Sequence, residues 1–453
     1  MQRQLEDYVR TLGLDAYLVG GAVRDELLGI DSKDVDFLVP GVDHAALRTA
    51  LARHGRVEDF EVAGRLVGLR LWPRDTSVRR FAPSGIEFAP PRRERSTGPG
   101  RHDFEIVVDP QASVEDDLKR RDFTVNAIAR RLATDDIVDP LGGREDLDNR
   151  VLRAVSARSF AEDPLRIVRG LRLVSQLDLG PDEQTLGQMA EEAIAVRLVS
   201  GERIGGGLRA DGLGELSKLL LGARPAKALR IARDTGVLVA LIPEFARGID
   251  YDTESARQGR NLDEHVFAVV QKTADAGASL PVRLAALLHD LGKPEASETG
   301  DAHADVSARI AHDVLDRLRY PTRLRRHVVQ LVQEHAFPLE DVDELYARRF
   351  LRKHGHELAA DLVAHKRADL ATKNVAPWEL DAIDRLGRLI ERERVRPYRL
   401  GDLAVDGADL LVLGYREGPR LGAALDRLLD DVVEDPRRNE RAWLLERAKE
   451  LLR

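Results

Sequence analysis

Over the first 150 residues, apolar and polar positions alternate in short runs: DVDFLV (34–39), LVGLRLW (66–72), GIEFA (85–89) and DFEIVV (103–108). A period of two predicts half-buried strands, so this part reads as an α+β head with a few helices between its strands. From about residue 151 the period changes. Apolar residues recur at helical spacing almost to the C-terminus, predicting an all-helical body. The pattern divides the chain into a head (1–150), a helical neck (151–255), a histidine-rich helical domain (256–375) and a helical C-terminal segment (376–453). PPRRERSTGPGRH (90–102) reads as a mobile loop, and the polar stretch 248–259 as a linker. Three successive glycines, Gly205 to Gly207, predict a break in the neck, each costing a helix about 1 kcal/mol relative to Ala.

Composition narrows this picture in three ways. The 453 residues are 43% hydrophobic and 33% charged, which suits a globular enzyme. No apolar run approaches the roughly 20 residues that span a bilayer, and the first residues lack a signal peptide's apolar core, so a cytoplasmic location and no membrane partner are expected. There is no cysteine, so any metal is held by His, Asp or Glu. A net charge of −8 disfavours a nonspecific nucleic-acid coat, yet local basic groups such as Arg92, Arg93 and Arg95 leave RNA contact open.

Chemistry in the head concentrates in three segments. In YLVGGAVRDELLG (17–29), a strand runs through Gly20 and Gly21 into a helix; glycines there let backbone N–H groups approach a phosphate, and Arg24 reaches the same anion. In DVDFLV, Asp34 and Asp36 share one face of a strand. Two carboxylates that close are unfavourable unless a cation lies between them, and Mg²⁺ for phosphoryl transfer fits. Glu87 is the candidate third carboxylate. In RRDFTVNAIA (120–129), Arg121 and Asp122 are suited to triphosphate and ribose, while Phe123, Val125 and Ile128 point inward. Each segment alone has a bland alternative: a plain turn, a solvated strand edge, an ordinary helix start.

Together, LVGGAVRDELLG, DVD, RRDFTVNAIA, DPLGGREDL (139–147) and EDPLRIVRGLR (162–172) resemble the successive motifs of class II tRNA nucleotidyltransferases and bacterial poly(A) polymerases. The resemblance implies a polymerase-β-like head with Asp34 and Asp36 as Mg²⁺ ligands. It places Gly21 and Arg24 at the nucleotide phosphates, and Arg121 and Asp122 at triphosphate and ribose. Asp163, Arg166, Arg169 and Arg172 stand at three-residue steps, near one face of a helix. Cytosine and adenine both present an amine beside a ring-nitrogen acceptor. A carboxylate accepts from the first and a guanidinium donates to the second, while uracil and guanine offer a carbonyl instead. Asp163 and Arg166 are therefore read as a protein template for CTP and ATP, and Arg169 and Arg172 match nucleotide-binding positions of the family.

Nine of the twelve histidines lie between 265 and 365. The series His265, His289-Asp290, His303, His335 and Asp369 resembles the H…HD…H…H…D pattern of HD phosphohydrolases. Imidazoles with carboxylates suit Mn²⁺, Co²⁺, Ni²⁺ or Fe²⁺ and a metal-activated water; Lys293 would stabilise phosphate charge. His312 and His327 read as helix-surface residues. The expected activity is addition of CMP and AMP to a tRNA 3′ end, in a monomer or homodimer. The rivals are a poly(A) polymerase, a partial CC- or A-adding enzyme, and an RNA sensor with only the HD site active.

Overall fold

The fold is described from a computed structural model covering residues 2–32, 35–62, 65–96, 104–108, 111–206 and 213–452, with 62, 65, 92–96 and 104–108 as backbone alone. Asp34, Gly207 and residues 97–102 lie outside the described residues. The chain forms two compact units, Met1–Pro243 and Glu244–Arg453.

Unit 1 is built on a seven-stranded sheet. Its strands are β1 (Tyr17–Val19), β2 (Asp36–Leu38), β3 (Gly55–Val62), β4 (Arg65–Pro73) and β5 (Ile86–Ala89). β6 (Arg92–Ser96) and β7 (Phe104–Val108) form a separate hairpin, so part of the expected loop is strand. β8 (Ala129–Arg131) and β9 (Ile137–Val138) complete the sheet, in the order β3-β4-β5-β2-β1-β8-β9. Within this sheet β2 and β5 pair in parallel and the other described neighbours pair antiparallel. The period-two pattern sends Leu18, Phe37, Leu69, Leu71, Ile86 and Phe88 into the core, where the Phe37 and Phe88 rings stack 5.5 Å apart.

Asp36 is exposed, while Phe37, on the opposite face, is buried. Parallel pairing brings Asp36 into register with Glu87, so both carboxylates project from one face of the sheet. RRDFTVNAIA does not begin a helix. The preceding helix ends at Lys119, and a short 3-10 turn (Thr124–Asn126) leads into β8. Phe123, Val125 and Ile128 are fully buried, so packing sets the path of this segment.

The Leu165–Leu177 helix buries Leu165, Ile167, Val168, Leu171 and Val174, which leaves Arg166, Arg169 and Arg172 on a stripe away from the core. Asp163 is not on this helix. It precedes Pro164 with extended backbone angles, and its Oδ1 accepts from Leu165 N at 3.1 Å. A residue before proline is driven out of the helical region, which accounts for the difference. The expected neck break is present. A π-helical turn (Glu202–Gly206) ends the run, Gly214 N donates to Gly205 O at 2.9 Å, and a new helix starts at Glu215.

Unit 2 is helical. Leu262–Asp275, Leu280–Leu288, His303–Arg317, Thr322–Glu334 and Glu344–Leu370, which kinks at Gly355 (φ 71°), surround one core, and a second cluster around Leu410, Leu428, Val432 and Leu444 closes the C-terminal end. The stretch 248–259 is no linker. The boundary falls at residue 243, and this segment is tied into unit 2 by backbone bonds: Leu262 N to Tyr251 O at 2.9 Å and Asn374 N to Arg257 O at 2.7 Å. Among the described residues, no helix is long and apolar enough to cross a membrane.

Candidate active sites

In unit 1 a cavity of about 740 Å³ opens over the sheet face that carries Asp36 and Glu87. Gly21, Arg24, Arg121, Asp122, Asp163, Arg166, Arg169 and Arg172 also line it, so one space gathers all the head residues singled out by sequence except Gly20 and Asp34. Asp34 lies outside the described residues. Gly20 stands behind the wall: its N–H donates to Ile128 O at 3.0 Å and is not available to a phosphate. Its φ of 72°, a backbone conformation that L side chains rarely adopt, explains why the position is glycine. Glu87 is paired with Arg70, so its carboxylate already has a cationic partner.

The basic wall is held by specific contacts. Arg24 donates to Asn126 Oδ1 at 2.6 Å and to Asp25 Oδ1. Arg121 lies 3.3 Å from Asp117. Asp122 accepts from Arg169 at 2.8 Å, from Asn126 at 2.9 Å and from Phe123 N at 2.9 Å. Burial alone would raise its pKa; the Arg169 charge and these hydrogen bonds outweigh that and hold the carboxyl well below the usual range. The same pairing, with Asp122 as the main cause, raises Arg169.

Arg172 is ion-paired with the buried Glu215 at 2.9 Å, and burial lowers its pKa despite that partner. Arg166, which lines the cavity, donates to Arg120 O at 3.0 Å and lies 3.8 Å from Glu162 Oε2. Arg203 lies 3.4 Å from Asp163 Oδ2 and, with Asn126 and Gln176, joins the lining. Sequence reading passed over all three: Asn126 lies inside RRDFTVNAIA, and Arg203 in VSGERI just before the glycines.

Unit 2 brings together every residue of the histidine series. His265, His289, Asp290, His335 and Asp369 are buried, and the His303 side chain is about a third exposed. His265 Nε2 lies 3.5 Å from Asp290 Oδ2 and 3.2 Å from Asp369 Oδ1; His289 Nε2 lies 3.1 Å from Asp290 Oδ2. On the other side of Asp290, its Oδ1 lies 3.6 Å from His303 and 3.8 Å from His335. Two three-ligand groups thus share Asp290: His265/His289/Asp290 and Asp290/His303/His335.

The donor set fits a metal. Nε2 of His265 and His289 and Asp369 Oδ1 are buried and lack an aligned hydrogen-bond partner, and they gather about Asp290 Oδ2, which also faces the Lys293 ammonium at 2.7 Å; a donor set of this kind fits a cation. Outer contacts fix the rings with Nε2 inward: His289 Nδ1 to Ala286 O at 2.9 Å, His335 Nδ1 to Val332 O at 2.6 Å, and His265 Nδ1 to Thr372 Oγ1 at 3.2 Å.

Protonation is arranged the same way. Burial would raise Asp290, but His289 and Lys293 hold it well below the usual range; His265 and Lys373 do so for Asp369. Burial, reinforced by His289, lowers His335 to about 3, and burial also lowers His303. Ionised carboxylates and these neutral imidazoles are the forms that bind metal. His365, one helical turn before Asp369, is fully buried with its ring 4.9 Å from that of His289, and sequence reading assigned it nothing.

Residues 16–153 match the poly A polymerase head domain and residues 262–411 the HD domain. A multifunctional CCA protein of Ralstonia nicotianae is 33% identical over 414 residues, covering 86% of both chains. One from Xanthomonas campestris is 33% identical over 425 residues, covering 90% of this chain and 95% of the relative. The structure resembles that of the Bacillus stearothermophilus CCA-adding enzyme in complex with CTP, with a TM-score of 0.68, 25% identity and coverage of 99% and 96%. The Thermotoga maritima CCA-adding enzyme complexed with tRNA shares the fold at a TM-score of 0.59 and 21% identity, covering 100% and 94%. With a third of its residues identical to these relatives across nearly the whole length of both chains, the protein belongs to the multifunctional CCA protein family.

Proposed function

We propose that unit 1 adds CMP and AMP from CTP and ATP to a tRNA 3′ end, and that the HD centre of unit 2 hydrolyses phosphate esters such as 2′,3′-cyclic phosphates. The observation that carries the first part is the meeting of Asp36, Arg121, Asp163 and Arg166 around one cavity. In each cycle the terminal 3′-oxygen bonds to the α-phosphorus, the bond to the bridging oxygen breaks, and pyrophosphate leaves. Asp34 and Asp36 would hold Mg²⁺, which when bound screens the charge that builds on the phosphates. Glu87 is the third carboxylate, poised next to Asp36 once its pairing with Arg70 is exchanged.

Arg24 and Arg121 receive the triphosphate. Asp163 accepts the exocyclic amine of C or A, and Arg166 donates to the ring nitrogen. Arg169 orients Asp122 for the ribose, and Arg172 carries the basic stripe onward. At the second centre, His265, His289, Asp290 and Asp369, with His303 and His335 opposite, would hold Mn²⁺, Co²⁺, Ni²⁺ or Fe²⁺. The division into head, neck, HD domain and C-terminal segment is proposed as the functional one, at about 150 and 375 and with the neck closing at residue 243 in place of 255.

The test is single-nucleotide incorporation, with each of the four NTPs, on a tRNA ending before its first C. Asp163→Ala should lose C-over-U preference by about ten- to a hundredfold, the value of a buried hydrogen bond to a charged group. Arg166→Ala should lower use of both CTP and ATP. Unchanged discrimination in Asp163→Ala would remove the template role from this residue. Wild-type extension of any RNA by A alone would favour a poly(A) polymerase instead.

A further inference from the structure

One side chain of the segment between residues 251 and 261 reaches Lys293, whose ammonium touches the ligand carboxylate Asp290, and part of that side chain is unaccounted for. Asn374, five residues beyond Asp369, pins the segment: its N–H donates to Arg257 O at 2.7 Å and its Nδ2 to Ala256 O at 3.2 Å. The next residue, Gln258, is only 3% exposed. Its Oε1 accepts from Lys293 Nζ at 2.9 Å, and the same ammonium lies 2.7 Å from Asp290 Oδ2.

The chemistry of the pair fixes the amide's orientation, because only the carbonyl oxygen can accept from an ammonium. Nε2, with two N–H donors, is then buried without a partner. Buried polar groups are almost always satisfied, so an orphan of this kind marks a place where something binds. This one stands beside a cation that touches the ligand carboxylate shared by both metal-binding groups. A group able to satisfy both must offer several acceptor oxygens and carry negative charge. A tetrahedral phosphoryl group does so.

We propose that Gln258 is a substrate-contact residue of the HD centre, donating from Nε2 to a non-bridging phosphate oxygen while Lys293 donates to another. The proposal rests on the phosphohydrolase reading of that centre and adds the group that recognises its substrate's anion. It also explains why a polar, apolar-poor segment is pinned by its backbone. The pinning holds the carboxamide against Lys293, which in turn touches Asp290.

Two isosteric changes separate contact from mere support of Lys293. Gln258→Glu keeps an oxygen for Lys293 but replaces the donor with a charge that repels phosphate; Gln258→Met removes both. In the full-length, Mn²⁺-loaded protein, inorganic phosphate binding is measured by calorimetry, Mn²⁺ affinity by titration, and hydrolysis with bis-p-nitrophenyl phosphate. Both variants should bind phosphate at least about tenfold more weakly and show raised KM, with Mn²⁺ affinity unchanged. Normal phosphate binding in Gln258→Glu, with loss only in Gln258→Met, would reduce Gln258 to a support for Lys293 and overturn the proposal. Hydrolysis and phosphate binding that are normal in both variants overturn it while leaving the phosphohydrolase reading intact. A wild-type protein that neither hydrolyses the ester nor binds phosphate removes both.

Discussion

Asp122 and Arg169 show how a charged pair in the head is balanced, and the balance is unequal. Asp122 is 6% exposed, whereas the Arg169 side chain is 39% exposed. Removing the arginine strands a buried carboxylate with only Asn126 and its own chain's N–H as donors, and breaking a buried pair in this way costs about 3–5 kcal/mol. Removing the charge of Asp122 leaves a guanidinium that water can reach, and costs about 1.5–3 kcal/mol for the lost charged hydrogen bonds. Arg169→Ala should therefore destabilise unit 1 more than Asp122→Asn does. The only tryptophan of unit 1 is Trp72, so urea unfolding followed by fluorescence in a Trp378→Phe, Trp443→Phe background reports that unit alone. Equal losses in the two variants would mean that burial of Asp122 is not what makes the pair costly to break. Because its carboxyl is depressed, the stability it contributes is full at neutral pH and is lost only as pH falls through the carboxylate range.

Among the elements, the Leu165–Leu177 helix carries the heaviest packing constraint. Gly170 lies against the Phe123 ring: an added Cβ would come 2.7 Å from Phe123 Cζ and 2.8 Å from Met189 Cε. Alanine normally favours a helix by about 1 kcal/mol over glycine. Here the fully buried ring cannot retreat, and overpacking of this kind costs about 1–3 kcal/mol, so Gly170→Ala should lower rather than raise the urea midpoint of unit 1. In unit 2, His327 on Thr322–Glu334 bonds Asp361 on Glu344–Leu370 at 2.7 Å; that bond raises its pKa, with Glu357 adding and burial and Arg323 opposing. The stability from this pair is fully present below the unfolded histidine's pKa and is lost as pH rises through the raised folded value. His327→Gln should thus destabilise unit 2 at pH 6, by up to about 1 kcal/mol, and much less at pH 9; thermal unfolding at the two pH values checks it. A strand such as Ile86–Ala89 was legible because one of its faces is buried and its sequence alternates accordingly. The HD ligands were legible because their residue types are rare together. Asp163 was misread as helical although Pro164 announces its extended backbone. His327 was read as a surface residue because a partner 34 positions away leaves no trace in local spacing. His365 escaped for lack of a motif, and the 248–259 strap looked like a linker because polar composition does not distinguish solvated chain from chain pinned by its backbone.

At the scale of the whole molecule, two centres of different ligand chemistry occur in separate compact units. The candidate ligands in unit 1 are carboxylates, suited to a hard cation such as Mg²⁺; those in unit 2 mix imidazole with carboxylate and suit a first-row transition metal. Oxygen-only sites exchange Mg²⁺ readily, whereas mixed sites bind far more tightly, so the two activities should part when metals are stripped and restored. After exhaustive chelation both are expected to be lost. Mg²⁺ alone should return nucleotide addition and leave phosphohydrolysis low; Mn²⁺, Co²⁺ or Ni²⁺ should return hydrolysis. Mutation makes the same division from the protein's side. Asp36→Ala removes a carboxylate that the second centre does not use, so incorporation of CMP should fall at least about a hundredfold, the scale of losing one preorganised electrostatic contact in a phosphoryl-transfer site, with hydrolysis unchanged. Asp290→Ala removes the oxygen donor common to both metal groups of unit 2, so hydrolysis and Mn²⁺ binding should disappear together while CMP incorporation persists. Parallel loss of both activities in either variant, with circular dichroism and unfolding midpoints at wild-type values, would show that the centres are coupled and that neither ligand set acts alone.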